Sequence, residues 1–574
     1  MILSNIMENK IDEFITTLQK YDSWYDMLPD IRKFQKETGI ELSKTKLIAS
    51  YRRIELNNPK FFQALLKKKV RGQSGVLPVT IFTSARPEYT DKNGERKQQN
   101  FSCKHDCWYC PLEPANENNN FVEQPRSYLT QEPGVLRANS HNYDCVGQMH
   151  GRCSAFVTMG QPLDKLEVLV LGGTWSEYPS EYQEEYVRDI YYAANTFFVP
   201  RKERLSLEEE QKINETTQPH IIGLTLETRP DTITLDEITR FRRFGCTRLQ
   251  LGVQHTNDHI LKKCNRGHNI QCVKDALKLL KNTGYKIDIH LMPNLRDASP
   301  EIDEEMFKEV LTCPELQADQ WKIYPCSVVS WSMFEKMYND GRYKPYSDDL
   351  LLKLLVKIAP TIHPWIRVNR IIRDIPIQYI SGGCSTPNMS EIITKKLKAK
   401  GESCKCIRCR EIKDMTGIQR YFKYRVYEGS GGTEYFLSYE SKDCKYIFGF
   451  LRLRLVKNTR TFDELKDVAM IRELHCYGPV RAIKNKNTSE EVGVVPQHTG
   501  IGSSLLWWAN AIAYYKGYRK ISVISGIGVR NYYRSRGFTT TSKNGYLIKQ
   551  ISLFEIIYNL FKGVYVCAIL KHRF

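Results

Sequence analysis

The sequence predicts an α/β protein built as a partial (β/α)6-type barrel followed by a separate α+β domain. Six short apolar and β-branched runs, at 77–83, 166–171, 220–226, 247–253, 286–292 and 320–324, alternate with helix-sized stretches such as 272–283. Near-continuous apolar runs in that alternation are the pattern of parallel strands covered by crossover helices. After a lysine-rich interval, 446–455, 467–476, 521–525 and 546–550 read as antiparallel strands around a helix at about 501–516. The 574 residues suffice for three or four domains at about 150 residues each. With 41% hydrophobic and 26% charged residues, collagen-like, disulfide-framework and wholly disordered chains are excluded.

Residues 1–75 form a basic region. Lys plus Arg number 84 against 65 Asp plus Glu, a net charge of +19. That excess suits a polyanion such as nucleic acid; the alternative is a basic enzyme without one. Between Lys44 and Arg71 nine cations face one acid, Glu55, interleaved with Tyr51, Phe61 and Phe62. Lys67, Lys68, Lys69 and Arg71 are candidate phosphate contacts, with a solvated helix face as the alternative reading. Met1 to Phe14 lacks a basic segment followed by an apolar run, so a reducing, cytoplasmic setting is expected. There, clustered cysteines point to metal or cluster ligands rather than disulfides.

The barrel is expected over 76–385. Directly after its first strand and loop come Cys103, Cys107 and Cys110, three of the 17 cysteines within eight residues. Three thiolates on a four-iron cluster leave one iron open to a small molecule, as a catalytic zinc keeps a free position. The C-x3-C-x2-C spacing with Tyr109 before the last cysteine resembles radical S-adenosylmethionine (radical SAM) enzymes, which implies a [4Fe-4S] cluster and S-adenosylmethionine. The alternative is a zinc site completed by His105. In such a barrel, chemistry sits just after each strand. Gly172, Gly173 and Thr174 follow the second, where a glycine turn lets backbone approach the amino-acid end of the cofactor. Glu227, Arg229 and Asp231 follow the third, Gly252 and Gln254 the fourth, and Lys322 lies in the sixth. Arg229 and Asp231 could also simply pair with one another. The stretch 200–218 reads as an acidic surface insertion.

The interval 386–425 carries Cys404, Cys406 and Cys409. A segment poor in apolar core gains folding energy from a metal, so a zinc knuckle is expected, with Cys384 and His363 as candidates for a fourth ligand. A second iron–sulfur cluster is the competing reading. In the domain expected over 426–550, Gln497-His-Thr499-Gly500-Ile501-Gly502 opens a helix after a strand. Free N–H groups there, with glycines allowing close approach, make an anion site fit for a pyrophosphate. The motif, followed by a strand and by Tyr532 and Tyr533, resembles Gcn5-type N-acetyltransferases (GNAT). A tyrosine in that place could bind or protonate the cofactor thiolate, while at least one of the pair could be ordinary packing.

The motifs in order, from Ser74-Gly-Val through Glu227-Thr-Arg-Pro-Asp231, Asn265-Arg-Gly-His268, Lys322-Ile-Tyr-Pro325 and Arg472-Glu-Leu-His475 to Ser525-Gly-Ile-Gly-Val-Arg-Asn-Tyr-Tyr-Arg534, resemble the Elongator complex protein 3 family over about residues 40–550. That resemblance implies carbon-5 carboxymethyl-type modification of the transfer RNA wobble uridine, with acetyl-coenzyme A as the second cofactor. It implies catalytic roles for Lys322, Tyr532 and Tyr533, and acetyl-coenzyme A contacts from Glu473, Leu474, His475 and the 497–502 loop. It also implies transfer RNA as partner, with or without other Elongator subunits. Competing functions are a protein-lysine acetyltransferase, which the basic surplus disfavours, and a non-catalytic RNA-binding subunit.

The tail 551–574 holds 20 residues, Ile551 to Leu570, before the cations Lys571 and Arg573. It is long enough as a helix to cross a bilayer, at about 1.5 Å per residue. Ser552, Glu555, Asn559 and Lys562 form a polar stripe opposite Leu553, Ile556, Ile557, Leu560 and Phe561. The pattern therefore favours a helix docked on the preceding domain or lying in a membrane interface over a tethering span.

Overall fold

The computed structural model describes residues 2–66, 75–413, 415, 417–457, 461–478 and 500–561. The first helices, α1 (Ile2–Thr17), α2 (Trp24–Thr38), α3 (Lys44–Arg53) and α4 (Pro59–Leu65), bury a core of their own around Ile15, Leu18, Met27, Leu47, Phe61 and Leu65. The side chains of Ser43 and Asn58 accept backbone N–H bonds at the starts of α3 and α4, which is why each helix begins there. Phe61 is wholly in that core, and Arg53 is spent on Glu8 and Asp12.

All six expected runs are strands: β1 (Val76–Phe82), β2 (Lys165–Leu171), β3 (His220–Thr228), β4 (Cys246–Gln254), β5 (Lys286–Leu291) and β6 (Gln320–Ile323). A seventh, β7 (Arg367–Ile371), joins them, and neighbours pair in parallel in sequential order, an open half-barrel. The strands differ from their expected near-continuous apolar character. Apolar positions such as Leu166, Val168, Leu224, Leu226, Ile287, Ile289, Trp321 and Ile323 are buried in the main core. Between them stand Glu167, Thr225, Glu227, Arg248, Gln250, Asp288, His290, Gln320 and Lys322. These polar side chains meet one another across the concave side. Arg248 Nη1 donates to Gln320 Oε1 at 2.9 Å, and Asn369 Nδ2 donates to Asp288 Oδ2 at 2.8 Å. Side chains alternate along a strand, so one face is sealed by helices and the other lines a polar lumen.

The second sheet is β8 (Tyr421–Gly429), β9 (Gly432–Glu440), β10 (Ile447–Leu455), β11 (Ala469–Cys476), β12 (Lys520–Val523), β13 (Thr540–Thr541) and β14 (Leu547–Gln550), in the order β8-β9-β10-β11-β12-β14-β13. The hairpin β8–β9 precedes the strands read from sequence. One pair departs from the expected antiparallel pattern: β11 and β12 run parallel and are registered only over Ala469–Ile471. Beyond Ile471 the two strands part, and the helix α5 (Ile501–Tyr515) packs on β9, β10 and β11. This mixed sheet beside a long helix is a GNAT-like domain.

The two sheets share one buried seam. Arg472 Nη1 donates to Asp319 Oδ1 at 2.8 Å, Arg454 Nη1 to Glu434 Oε1 at 2.9 Å, and Lys281 lies 3.5 Å from Glu434. All five groups are almost completely buried. Asp319 and Tyr285 immediately precede β6 and β5, so the second domain abuts the amino ends of the barrel strands. Met470, Ile524, Ile527 and Tyr546 extend the barrel's own core.

One further sequence expectation changes, and the tail docks as expected. The stretch 200–218 is not a surface insertion: its helix Leu207–Asn214 buries Leu207, Glu210, Gln211 and Asn214, with the Glu210 carboxylate paired to Arg201. The tail helix Leu553–Phe561 is held by Trp507 Nε1 donating to the Ile556 carbonyl at 3.1 Å, while Leu553 and Ile557 of its apolar face are exposed. Among the described residues no helix is long and apolar enough to cross a membrane. Residues 562–574, and with them the rest of the tail reading, lie outside the described residues.

Candidate active site

The cysteine loop follows β1 and closes over the carboxyl ends of the strands. Trp108 N–H donates to the Cys264 carbonyl and Phe334 N–H to the Trp108 carbonyl, both at 3.0 Å, so backbone bonds fix the loop's path. Cys107 is buried and takes two guanidinium N–H bonds, from Arg229 at 3.5 Å and Arg266 at 3.4 Å. Thr174 Oγ1 donates to Cys103 Sγ at 3.1 Å. A hydrogen bond from Cys110, then the two arginines, pull the Cys107 thiol down to about 4, so it is a thiolate at neutral pH. Thiolates backed by fixed cations suit the negative charge of an iron–sulfur cluster. His105, the alternative zinc ligand, has its imidazole 3.5 Å from Glu177.

The other strand-end residues converge here. Arg229 and Asp231 do pair, at 2.8 Å, yet the same guanidinium also reaches Cys107 and the Arg266 carbonyl. Gly172 and Gly173 have φ of +112° and +66°. A Cβ on Gly173 would stand 2.1 Å from the Ser102 carbonyl, so this glycine lets the turn lie against the residue preceding Cys103. Gln254 closes β4 at φ +72°, a strained value for a residue with a side chain, with its carbonyl accepting from Met292 N–H at 2.7 Å. Arg266, which sequence reasoning placed only inside a motif, is as close to Cys107 as Arg229 is.

Below the loop the lumen is layered. Glu227 accepts from Tyr128 Oη at 3.2 Å and lies 3.7 Å from His290 Nδ1. Lys322 Nζ donates to Gln250 Oε1 at 2.5 Å, level with His290 in the strand register. Next come Asp288, Gln320, Asn369 and Arg248, then Lys286. Burial raises the carboxyls of Glu227 and Asp288 and pushes His290 well down, so the imidazole is neutral. His290 Nε2 and Asp288 Oδ1 are buried without a hydrogen-bond partner. Buried polar atoms are nearly always satisfied, so these are fitted to a ligand or water within the lumen. The signal was present in sequence as the alternation K-I-D-I-H and R-L-Q-L-G-V-Q, which reading the runs as continuous apolar strands passed over.

At the far end stands β11, with its alternation splitting two environments. Glu473 lies 4.0 Å from Lys286 and accepts from Arg452 Nε at 2.9 Å; His475 packs on Tyr477 at 4.4 Å. Burial acts to raise Glu473, but Lys286 and Arg452 outweigh it and hold the carboxylate below its usual range. Burial also brings His475 to about 4. Leu474 and Cys476 turn instead toward α5, near Gly502. Gly500, at φ +82°, caps α5, and a Cβ on Gly502 would lie 2.8 Å from Tyr532 Oη. The start of α5, Cys476 and Tyr532 thus meet where β11 and β12 part, and a helix start of this kind suits an anion. Tyr533 is buried in the core against Phe538, so of the two tyrosines Tyr532 is the one brought to this slot. Gln497 and Thr499 lie outside the described residues, as do Lys67, Lys68, Lys69, Arg71 and Ser74.

Cys404, Cys406 and Cys409 bring their sulfurs within 4.8 Å of one another. Among the described residues no further histidine, cysteine or carboxylate joins them. His363 Nε2 is occupied at 2.9 Å by the Leu311 carbonyl, and Cys384 is buried in the main core.

A half-barrel with three cysteines after its first strand, fused to a GNAT-like sheet, defines a radical SAM enzyme joined to an acetyltransferase domain. The Radical SAM superfamily signature matches residues 177–306, and the Radical_SAM C-terminal domain matches 318–399. The chain is 36% identical over 491 residues, 83% of its length and 86% of the relative's, to the tRNA uridine(34) acetyltransferase of Methanocaldococcus infernus. It is 33% identical to Elongator complex protein 3 of Schizosaccharomyces pombe, covering 75% of this chain and 79% of that one. The solved structure of archaeal Methanocaldococcus infernus Elp3 lacking residues 1–46 superposes with a TM-score of 0.67 at 32% identity, over 83% of this chain and 99% of that one. The chain belongs to the Elongator complex protein 3 family of tRNA uridine(34) acetyltransferases.

Proposed function

We propose that this chain modifies carbon 5 of the wobble uridine of transfer RNA, using acetyl-coenzyme A and radical SAM chemistry. The observation that carries the reading is the polar lumen, which has the cysteine loop at one end and the β11 wall of the acetyl slot at the other. A cluster on Cys103, Cys107 and Cys110 with S-adenosylmethionine would supply a carbon radical able to take hydrogen from the acetyl methyl group.

The chain's own residues do the rest. The hydrogen bond from Cys110, together with Arg266 and Arg229, keeps Cys107 ionised. Lys322, its ammonium held by Gln250, offers a fixed cation to a carbonyl or carboxylate in the lumen, worth most where water is excluded. Neutral His290 and the raised carboxyls of Glu227 and Asp288 can hold or pass a proton without adding charge. The start of α5 takes the coenzyme's phosphates, and Tyr532 stands ready to donate to its thiolate. Cys404, Cys406 and Cys409 hold a structural zinc whose fourth ligand lies elsewhere than His363 or Cys384. Transfer RNA is gripped by the basic amino-terminal region, and the protein works either alone or among Elongator subunits.

The test is reconstitution with iron and sulfide under reductant. S-adenosylmethionine should be cleaved, and adding transfer RNA should start coenzyme A release and load a carboxymethyl mass on the wobble uridine. Cleavage without any RNA effect, with acetyl transfer to histone peptides instead, would overturn the reading.

A further inference from the structure

We propose that Glu215, on the barrel side, is a positioning residue for the acetyl slot, holding the short helix that carries Tyr532. The inference rests on the acetyl-coenzyme A reading above.

Glu215 follows the helix Leu207–Asn214, in the stretch that looked from sequence like an acidic insertion. Its carboxylate takes both arginines that bracket the tyrosine pair. Oε2 accepts from Arg534 Nη1 at 2.5 Å, and Oε1 accepts from Arg530 Nη1 and Arg534 Nη2, each at 3.2 Å. Its backbone carbonyl accepts from Asn531 Nδ2 at 3.1 Å. One residue thus engages three of the five positions of the helix Arg530–Arg534. The arginines overcome the effect of burial and hold the Glu215 carboxyl below its usual range, so the clasp is charged at neutral pH.

The clasp is mounted rigidly. Glu210, fully buried, accepts from Asn195 Nδ2 at 2.8 Å and pairs with Arg201. Asn214 Nδ2 donates to Asn195 Oδ1 at 2.9 Å, and Asn214 Oδ1 accepts from Ile221 N–H of β3 at 2.8 Å. Glu215 therefore stands on a frame tied to a barrel helix and a barrel strand. The approach to the tyrosine helix is tied to the same strand: a Cβ on Gly526 would stand 2.0 Å from the Ile222 carbonyl, and one on Gly528 3.0 Å from Ile221. The helix is one and a half turns long, and its first residue gains no side-chain cap. A helix so short is not stable by itself and takes its position from its contacts. Its own domain supplies one anchor, Tyr533 against Phe538, and the barrel supplies the polar ones, which together set the Tyr532 hydroxyl against Gly502 at the start of α5.

The consequence is a split between binding and turnover. The phosphate end of the coenzyme is held by α5, which Glu215 does not touch, whereas the thiolate end depends on Tyr532. In reconstituted full-length protein, Glu215→Ala should lower the rate of RNA-dependent coenzyme A release roughly ten- to a hundredfold. The dissociation constant for acetyl-coenzyme A, the melting temperature and RNA-free S-adenosylmethionine cleavage should stay within about twofold or a few degrees. Arg534→Ala should lower release by less, since Arg530 still reaches Glu215, and the double variant should be no worse than Glu215→Ala, because Arg534 acts through that carboxylate. Unchanged release in Glu215→Ala, additive losses in the double variant, or a parallel loss of coenzyme binding would each overturn the clasp. Wild-type protein that releases no coenzyme A with RNA would instead overturn the functional reading beneath it.

Discussion

Two sets of three cysteines, at 103/107/110 and at 404/406/409, look alike in sequence and stand in different surroundings. The first sits on a loop at strand carboxyl ends, with Thr174, Arg229 and Arg266 donating to its sulfurs. The second draws its sulfurs within 4.8 Å between two cores: Cys406 belongs to the barrel's and the next residue, Ile407, to the acetyltransferase domain's. One set of thiols faces fixed cations and a polar lumen, whereas the other runs from Cys406, buried between the cores, to the exposed Cys409. Cysteine spacing alone points to metal ligands in both places, and what separates the two sets is their neighbours.

The sharpest way to break that contrast is to exchange the losses. Cys107→Ala should abolish S-adenosylmethionine cleavage, measured as 5′-deoxyadenosine, with little change in melting temperature. If cleavage persists in a preparation still holding iron, the loop is not the reactive set. Next in size, Lys322→Met should cut RNA-dependent coenzyme A release by about a hundredfold or more, as removal of a buried transition-state donor does. Cleavage without RNA should survive; if both activities fall together, the lysine belongs to the upper site and not between the two.

The interface predicts an effect on stability instead. Asp319→Asn removes one partner from a buried network of Arg472, Arg452 and Lys281. The cost should be about 3–5 kcal/mol in chemical denaturation, because charges are left uncompensated. Burial opposes ionisation of Asp319, but Arg472 and its neighbours win and bring it down to about 2 from the ordinary 3.8. A depressed carboxylate contributes stability that is whole above 3.8 and lost as pH falls through 2, so wild type should lose an acid-dependent increment that the variant never had. A wild-type and variant difference that is flat from pH 5 to 2 would contradict it. The smallest expected effect falls on the second cysteine set. Cys409→Ala should lower the melting temperature by a few degrees and release any bound zinc, at about 2–4 °C per kcal/mol for domains of this size. Radical cleavage per bound cluster should be unchanged; its loss would erase the distinction between the two sets.

Much of the fold was legible because period and spacing are local. The six runs from 77–83 to 320–324 became β1 to β6 within a residue or two, and the helix at 501–516 became α5. The seventh strand escaped because Arg-Val-Asn-Arg-Ile has only two apolar residues, with Asn369 bonded into the lumen. For the site, the three cysteines, Lys322 and Tyr532 announced themselves by motif. Arg266 beside Cys107, Asp288 and His290 in the lumen, and Glu215 on the tyrosine helix did not. Arg266 acts on a residue 159 positions away, Asp288 on one 81 away and Glu215 on ones more than 300 away.

The sequence by itself determined which segments are strands and helices, which thiols come in sets, and which family the chain resembles, since these follow from neighbours along the chain. Only the tertiary structure decided that alternate polar residues of six strands face one lumen and that β11 and β12 part after Ile471 to open a slot. It alone set two guanidinium groups on one thiol and a barrel carboxylate on the acetyl domain's short helix. Those are contacts between residues remote in sequence. They exist because burying the apolar face of each strand leaves its other face, and the charges on it, no place to go except toward one another.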